Sequence, residues 1–171
     1  MKAQSFSRAA GLTVAALALA MSLTGCSALT DLLQVGKTDA QRDDSGSVTE
    51  SANIDIFALK VGDCMPQSEG GVISEADVVP CAEPHADEVY WEFTLPEGDF
   101  PTTEALSAAI EAECLPAFET FAGIAYDASA LEVYTIEPTA ETWAQADDRI
   151  VQCVVYDPAG DVTGSLKGAA R

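Results

Sequence analysis

The sequence predicts an α+β domain: an antiparallel or mixed sheet with one kinked helix packed across a face and two disulfides. Three observations lead there. Apolar residues alternate at period two over residues 88–95 and 130–137, the mark of half-buried strands. One long segment, residues 102–123, carries a helical period. Four cysteines, an even number, fall within the same region.

The elements follow in chain order. Residues 57–65 and 73–80 read as short, irregular strands. In residues 88–95, Val89, Trp91, Phe93 and Leu95 face a core while Glu88, Tyr90, Glu92 and Thr94 face water. PEGDFP then turns the chain. The helix places Leu106, Ile110, Cys114, Phe118 and Phe121 on one stripe. Thr102 or Thr103 caps its start, and Glu104 suits the positive end of its dipole. Pro116 lacks a backbone donor and predicts a kink or a second start, and Gly123 stops the helix. Residues 149–156, RIVQCVVY, are apolar on nearly both faces and belong at the centre of the sheet. Before them, residues 138–148 read as a loop or short helical turn. After them, Asp157-Pro158-Ala159-Gly160 makes a turn and DVTGSLKG returns as a short edge strand.

The first 53 residues have a different texture. MKAQSFSR carries two positive charges and no acid, and AAGLTVAALALAMSL follows as an apolar run of about fifteen residues, short of the roughly 20 needed to span a membrane. This is the pattern of a secretory signal over residues 1–25. It ends in Leu23-Thr24-Gly25-Cys26, which resembles a lipobox. That resemblance implies diacylglycerol on Cys26 and anchoring at the outer face of the cytoplasmic membrane, where two acyl chains hold stably and one does not. Residues 26–53 are small and polar and read as a disordered acidic tether, reaching on the order of 30 Å as a flexible coil. Residues 54–171 then form the domain, large enough for one core.

Charge limits the partners. There are 28 acidic and 8 basic residues, and loss of Lys2 and Arg8 with the signal leaves 6 against 28, a net −22. Such a surface repels nucleic acid, so none is expected as a partner. An envelope protein or a wall component fits better.

With Cys26 set aside, Cys64, Cys81, Cys114 and Cys153 allow three pairings. Cys64–Cys81 and Cys114–Cys153 are favoured: the first closes a local loop, and the second pins the buried stripe of the helix to the central strand. A four-cysteine zinc site would want a C-x₂₋₄-C pair, which is missing. The single histidine, His85, lies in VPCAEPHADEVY. Glu83, His85 and Asp87 could centre a metal-dependent or acid/base hydrolase, but H-E-x-x-H and other catalytic patterns are absent. The favoured role is structural, with the His85 ring bonding backbone in the turn after Cys81. No catalytic residue, metal ligand or cofactor is assigned.

LKVGDC, VPCAEPHADEVY, LPEGDFP, Cys114 in a helix, the Trp143–Arg149 segment before Cys153, and GSLKG follow one another in an order that resembles the septum-formation domain of actinobacterial membrane-associated lipoproteins. The resemblance covers residues 57–169. It implies the favoured cysteine pairing, a fold role for Pro84-His85 and an extracytoplasmic setting tied to the division site, and it supplies no catalytic residues and no established ligand. The chain departs from it at Ala146-Asp147-Asp148-Arg149, where Gly-Asp-Arg is expected. The functional expectation is a lipid-anchored, non-catalytic interaction module in envelope or septum assembly. The alternatives are the hydrolase above and a small-ligand-binding lipoprotein. An exposed Trp143 beside Asp147, Asp148 and Arg149 is the candidate contact patch, since Trp and Arg often anchor interfaces. A core tryptophan at the end of the sheet is the competing role for Trp143.

Overall fold

The computed structural model describes residues 39–67 and 73–171. Its elements are β1 (Ala52–Asp55), β2 (Cys64–Met65), β3 (Glu75–Val78), β4 (Asp87–Thr94), α1 (Thr103–Ala122), β5 (Glu132–Ile136), α2 (Ala140–Gln145) and β6 (Ile150–Tyr156). Strands β2, β4, β6 and β5 form a four-stranded sheet in that order, and β1 pairs with β3 in a separate ribbon. All pairings are antiparallel. The fold is α+β, with both disulfides formed as the favoured pairing has them. The signal, Cys26 and the tether as far as residue 38 lie outside the described residues. Among the described residues, no helix is long and apolar enough to cross a membrane.

The apolar run RIVQCVVY forms β6, between β4 and β5, with Val151, Cys153, Val154 and Val155 all buried. Successive buried residues require cover on both faces. On one face Val89 and Val154 pack with Ile54, Met65 and Val78. On the other, Tyr90, Cys153 and Val155 lie under Cys114, Phe118 and Ala122 of α1. The β4–β6 register shifts between Val89 and Trp91. Such a bulge breaks strict alternation, so Tyr90 is buried while Trp91 is 41% exposed, the reverse of the sequence expectation. Glu88, expected in water, is buried too.

Helix α1 is capped as predicted. The Thr102 hydroxyl accepts from the Ala105 amide at 3.3 Å, and Gly123 takes φ 80° at the C-cap. Pro116 lies inside the helix and starts no second one. Of the predicted stripe, Cys114 and Phe118 are fully buried, while Leu106, Ile110 and Phe121 are partly so. Tyr90 meets Phe118 edge-on, with ring centroids 5.8 Å apart, and its hydroxyl donates to the Cys114 carbonyl at 3.1 Å. Burial raises the Tyr90 phenol above its ordinary pKa, so it stays a donor.

Two segments differ from expectation. Residues 39–53 belong to the domain, not to a disordered tether. Ala40 and Val48 are buried with Ile54 and Val78, an isolated bridge joins Arg42 to Val48, and β1 starts at Ala52. The Arg42 guanidinium forks onto the fully buried Asp63 carboxylate, which also accepts the Lys60 amide at 2.9 Å. The segment offers the core few apolar atoms, so composition alone reads as coil. A charge pair spanning 21 positions orders it. At the other end, DVTGSLKG forms no strand. A single bridge joins Val162 to His85, Gly164 donates to the Cys81 carbonyl at 2.7 Å, and the Ser165 hydroxyl and Leu166 amide donate to Glu88 at 2.6 and 2.7 Å. Polar anchors to one carboxylate replace a ladder.

Arg42→Ala removes the charged partner of a buried carboxylate and is expected to destabilise the domain by about 3 kcal/mol. The measurement is a lowered urea midpoint at unchanged slope; an unmoved midpoint would show that Asp63 does not depend on the pair. A chain beginning at Ile54 is expected to be less stable than one beginning at Asp39, by the same readout.

Candidate functional site

Two places gather the residues singled out by the sequence, one at each end of the β4–β6 pair. At the start of β4, residues 80–85 make a tight turn in which the Glu83 amide donates to the Pro80 carbonyl at 2.8 Å. His85 is fully buried, and its backbone exchanges hydrogen bonds with Val162 at 3.0 and 2.8 Å. Ring Nδ1 lies 2.8 Å from the Glu83 carbonyl and donates to it, because a carbonyl can only accept. The ring therefore braces the turn. Nε2 keeps the lone pair, and it is buried without a hydrogen-bond partner.

The carboxylates expected beside His85 do not form one set with it. Glu83 is exposed and contributes its backbone carbonyl. Asp87 is buried and engages the Tyr134 hydroxyl, whose pKa is raised by burial first and by the Asp87 charge second. A hydrolase centred on Glu83, His85 and Asp87 has no converging geometry here. Instead Cys64, His85 and Glu88, all buried, bring one potential ligand atom each to within 4.8 Å of the others. Strict alternation hid this group by placing Glu88 in water. Its signal was the run of polar residues crowded at the head of a strand whose partners are apolar.

At the far end, α2 carries a capping box between Thr139 and Thr142. It sets Trp143 into the end of the core with Leu95 and Val151. Trp143 is 7% exposed, and its indole Nε1 donates to the Gly98 carbonyl at 3.0 Å, so it is a core residue and not the exposed anchor of the expected patch. Arg149 lies over its ring, 3.6 Å from the centroid. Nη1 donates to the Trp143 and Asp148 carbonyls at 3.0 and 2.9 Å, and Nη2 pairs with Asp147 at 2.9 Å. Asp148 turns inward, accepting from the Thr142 hydroxyl at 2.9 Å and the Ile150 amide at 3.2 Å. The four patch residues do meet, but as a buttressed turn with only Asp147 fully outside.

That turn borders an open groove of about 630 Å³, lined among others by Phe100, Trp143, Gln145, Asp147 and Arg149. Phe100, 41% exposed and edge-on to Trp143 at 5.5 Å, was missed because PEGDFP reads only as a turn. Asp147 has φ 55°, the left-handed region that glycine favours. This explains the departure from Gly-Asp-Arg: the expected glycine falls at 147, and aspartate is one of the few side chains that tolerate the conformation. With the Arg149 charge largely covered and paired to Asp147 and, at 4.0 Å, to Glu97, the exposed Asp147 and Asp99 of the lining leave the rim acidic.

Neither a curated protein nor a solved structure matches this chain. Residues 61–170, more than half of it, match the family model described as Septum formation. The matched span holds both disulfides, the His85 turn and the Trp143–Arg149 segment. The chain belongs to the septum-formation family.

Proposed function

We propose that this chain is a lipid-anchored, extracytoplasmic, non-catalytic interaction module acting in septum or envelope assembly. Family membership supports the setting. The signal over residues 1–25 and the lipobox at Cys26 support export and anchoring at the outer face of the cytoplasmic membrane. The observation that carries the interaction reading is the groove beside Phe100: an accessible aromatic next to a rigid, acid-rimmed wall. An apolar anchor ringed by charge is the usual composition of an interface centre. The partner it fits is an envelope protein or wall component that presents cationic groups beside an apolar one. A second reading, a small-ligand-binding lipoprotein, is favoured by the groove volume, which lies in the range of ligand pockets.

Asp147→Gly tests the rim without breaking the turn, because glycine takes φ 55° freely and an exposed ion pair contributes at most about 1 kcal/mol. With a photocrosslinker placed at residue 100 in dividing cells, this change is expected to cut adduct formation at least several-fold. Unchanged adducts would remove the groove from the interaction. Trp143→Ala acts differently: it is expected to cost about 3 kcal/mol through the cavity it leaves, seen as a drop in melting temperature, with adducts falling only as the fold is lost.

The anchor has its own check. Growth on an alkyne-bearing fatty acid is expected to label the wild-type chain in the membrane fraction, and Cys26→Ala to lose both label and sedimentation. An unlabelled wild-type chain would end the anchoring proposal.

A further inference from the structure

We propose that Cys64, His85 and Glu88 form a zinc site that is masked while Cys64 is bonded to Cys81 and becomes available when that bridge is reduced. The three side chains offer a sulfur, an imidazole nitrogen and a carboxylate oxygen, the three ligand types that zinc uses. All are buried, with the ligand atoms within 4.8 Å of one another. Tetrahedral zinc, with bonds of about 2.0–2.3 Å, holds its ligand atoms roughly 3.3–3.8 Å apart. Small side-chain rotations close that difference.

The histidine is set up as a ligand. Nδ1–H is committed to the Glu83 carbonyl, the outer partner that metal-bound imidazoles characteristically have. Nε2 then carries a buried lone pair with no donor to meet it. Leaving such an acceptor unsatisfied is costly, and a cation would satisfy it. The second ligand is oriented as well: the Ser165 hydroxyl and Leu166 amide hold the Glu88 carboxylate, which retains further lone pairs.

What masks the site is the disulfide, because zinc binds thiolate. The two bridges differ in access. Cys114 and Cys153 are both buried, whereas Cys81 is partly exposed and Cys64 is not. A thiolate of an external dithiol can attack the Cys81 sulfur and expel Cys64 as thiolate beside His85 and Glu88. The second thiol of the reductant then resolves the mixed disulfide. Two electrons and two protons pass to Cys64 and Cys81, and the dithiol leaves as a disulfide. Zinc displaces the Cys64 proton, and Cys81 or water takes the fourth position. The ion thereby reconnects β2 to the His85 turn, near where the covalent link was lost.

The test uses the full chain with Cys26→Ser, so that thiol does not contribute, and Co²⁺ as a probe that zinc displaces. The oxidised chain is expected to show no thiolate-to-cobalt charge-transfer band. The Cys81→Ser variant, which frees Cys64 without any reductant, is expected to bind one Co²⁺ with that band, and zinc to abolish it. The Cys26→Ser chain with Cys81 intact, reduced by a phosphine, is expected to behave alike. His85→Gln or Glu88→Gln in the Cys81→Ser chain is expected to weaken binding at least tenfold. Absence of the band in both preparations, or a band indifferent to His85→Gln, overturns the proposal. If Cys81→Ser is unfolded without metal, the readout is circular dichroism: one equivalent of zinc restores the native spectrum, and failure to restore it overturns the site equally.

Discussion

The pairing of β4 with β6, covered on both faces, is the constraint from which the remaining architecture follows. A sheet buried on both sides needs two covering layers, and this chain supplies one from the segment before β4 and the other from the connection between β4 and β6. Helix α1 lies on one face, and the β1–β3 ribbon with residues 39–53 lies on the other. Each disulfide fastens one of these sides. Cys114–Cys153 ties the helix to the central strand, and Cys64–Cys81 ties β2 to the segment leaving β3. In the loop-entropy account, closures of 17 and 39 positions stabilise by about 3 to 4 kcal/mol each. The same constraint sorts the acids. In a chain of net charge −20, those drawn inside must be met by donors, and Asp63, Asp87 and Glu88 each are.

Much of the fold was legible because its signals are local. The apolar run of β6, the Thr102 cap, the Gly123 stop and the placement of Cys114 on a buried stripe need only neighbouring residues to read. What escaped depends on distant partners. The order of residues 39–53 rests on Arg42 reaching Asp63, and the C-terminal loop rests on Ser165 and Leu166 reaching Glu88 from 77 and 78 positions away. The bulge near Tyr90 also escaped. Nothing in Val89-Tyr90-Trp91 distinguishes a bulged strand from a regular one, yet the bulge decides which aromatic is buried.

The candidate sites divide along the same line. The role of His85 as a backbone brace was legible from one histidine set in a Pro-containing turn. Its neighbours were not, because Glu83 and Asp87 lie close in sequence while Cys64 and Glu88 lie close in space. For Trp143, adjacency to charge suggested a surface anchor, but the indole serves the core and Arg149 covers its face. The exposed aromatic of that end is instead Phe100, in a turn with no other distinguishing mark.

The two regions occupy opposite ends of one strand pair. Asp87, two residues from His85, is paired with Tyr156, and Thr94, one residue from Leu95 of the Trp143 cluster, is paired with Ile150, which follows Arg149. Seven steps along a strand separate these ends by roughly 23 Å. That is well beyond the screening length of about 8 Å at physiological salt, so charge changes at one end are weakly felt at the other. Coupling between them would have to pass through β4 and β6 themselves, whose residues are buried in the clusters on both faces of the sheet. The groove and the His85 corner are therefore separate regions of one scaffold, and a change at the Cys64–Cys81 bridge is expected to leave the Phe100 end as it is.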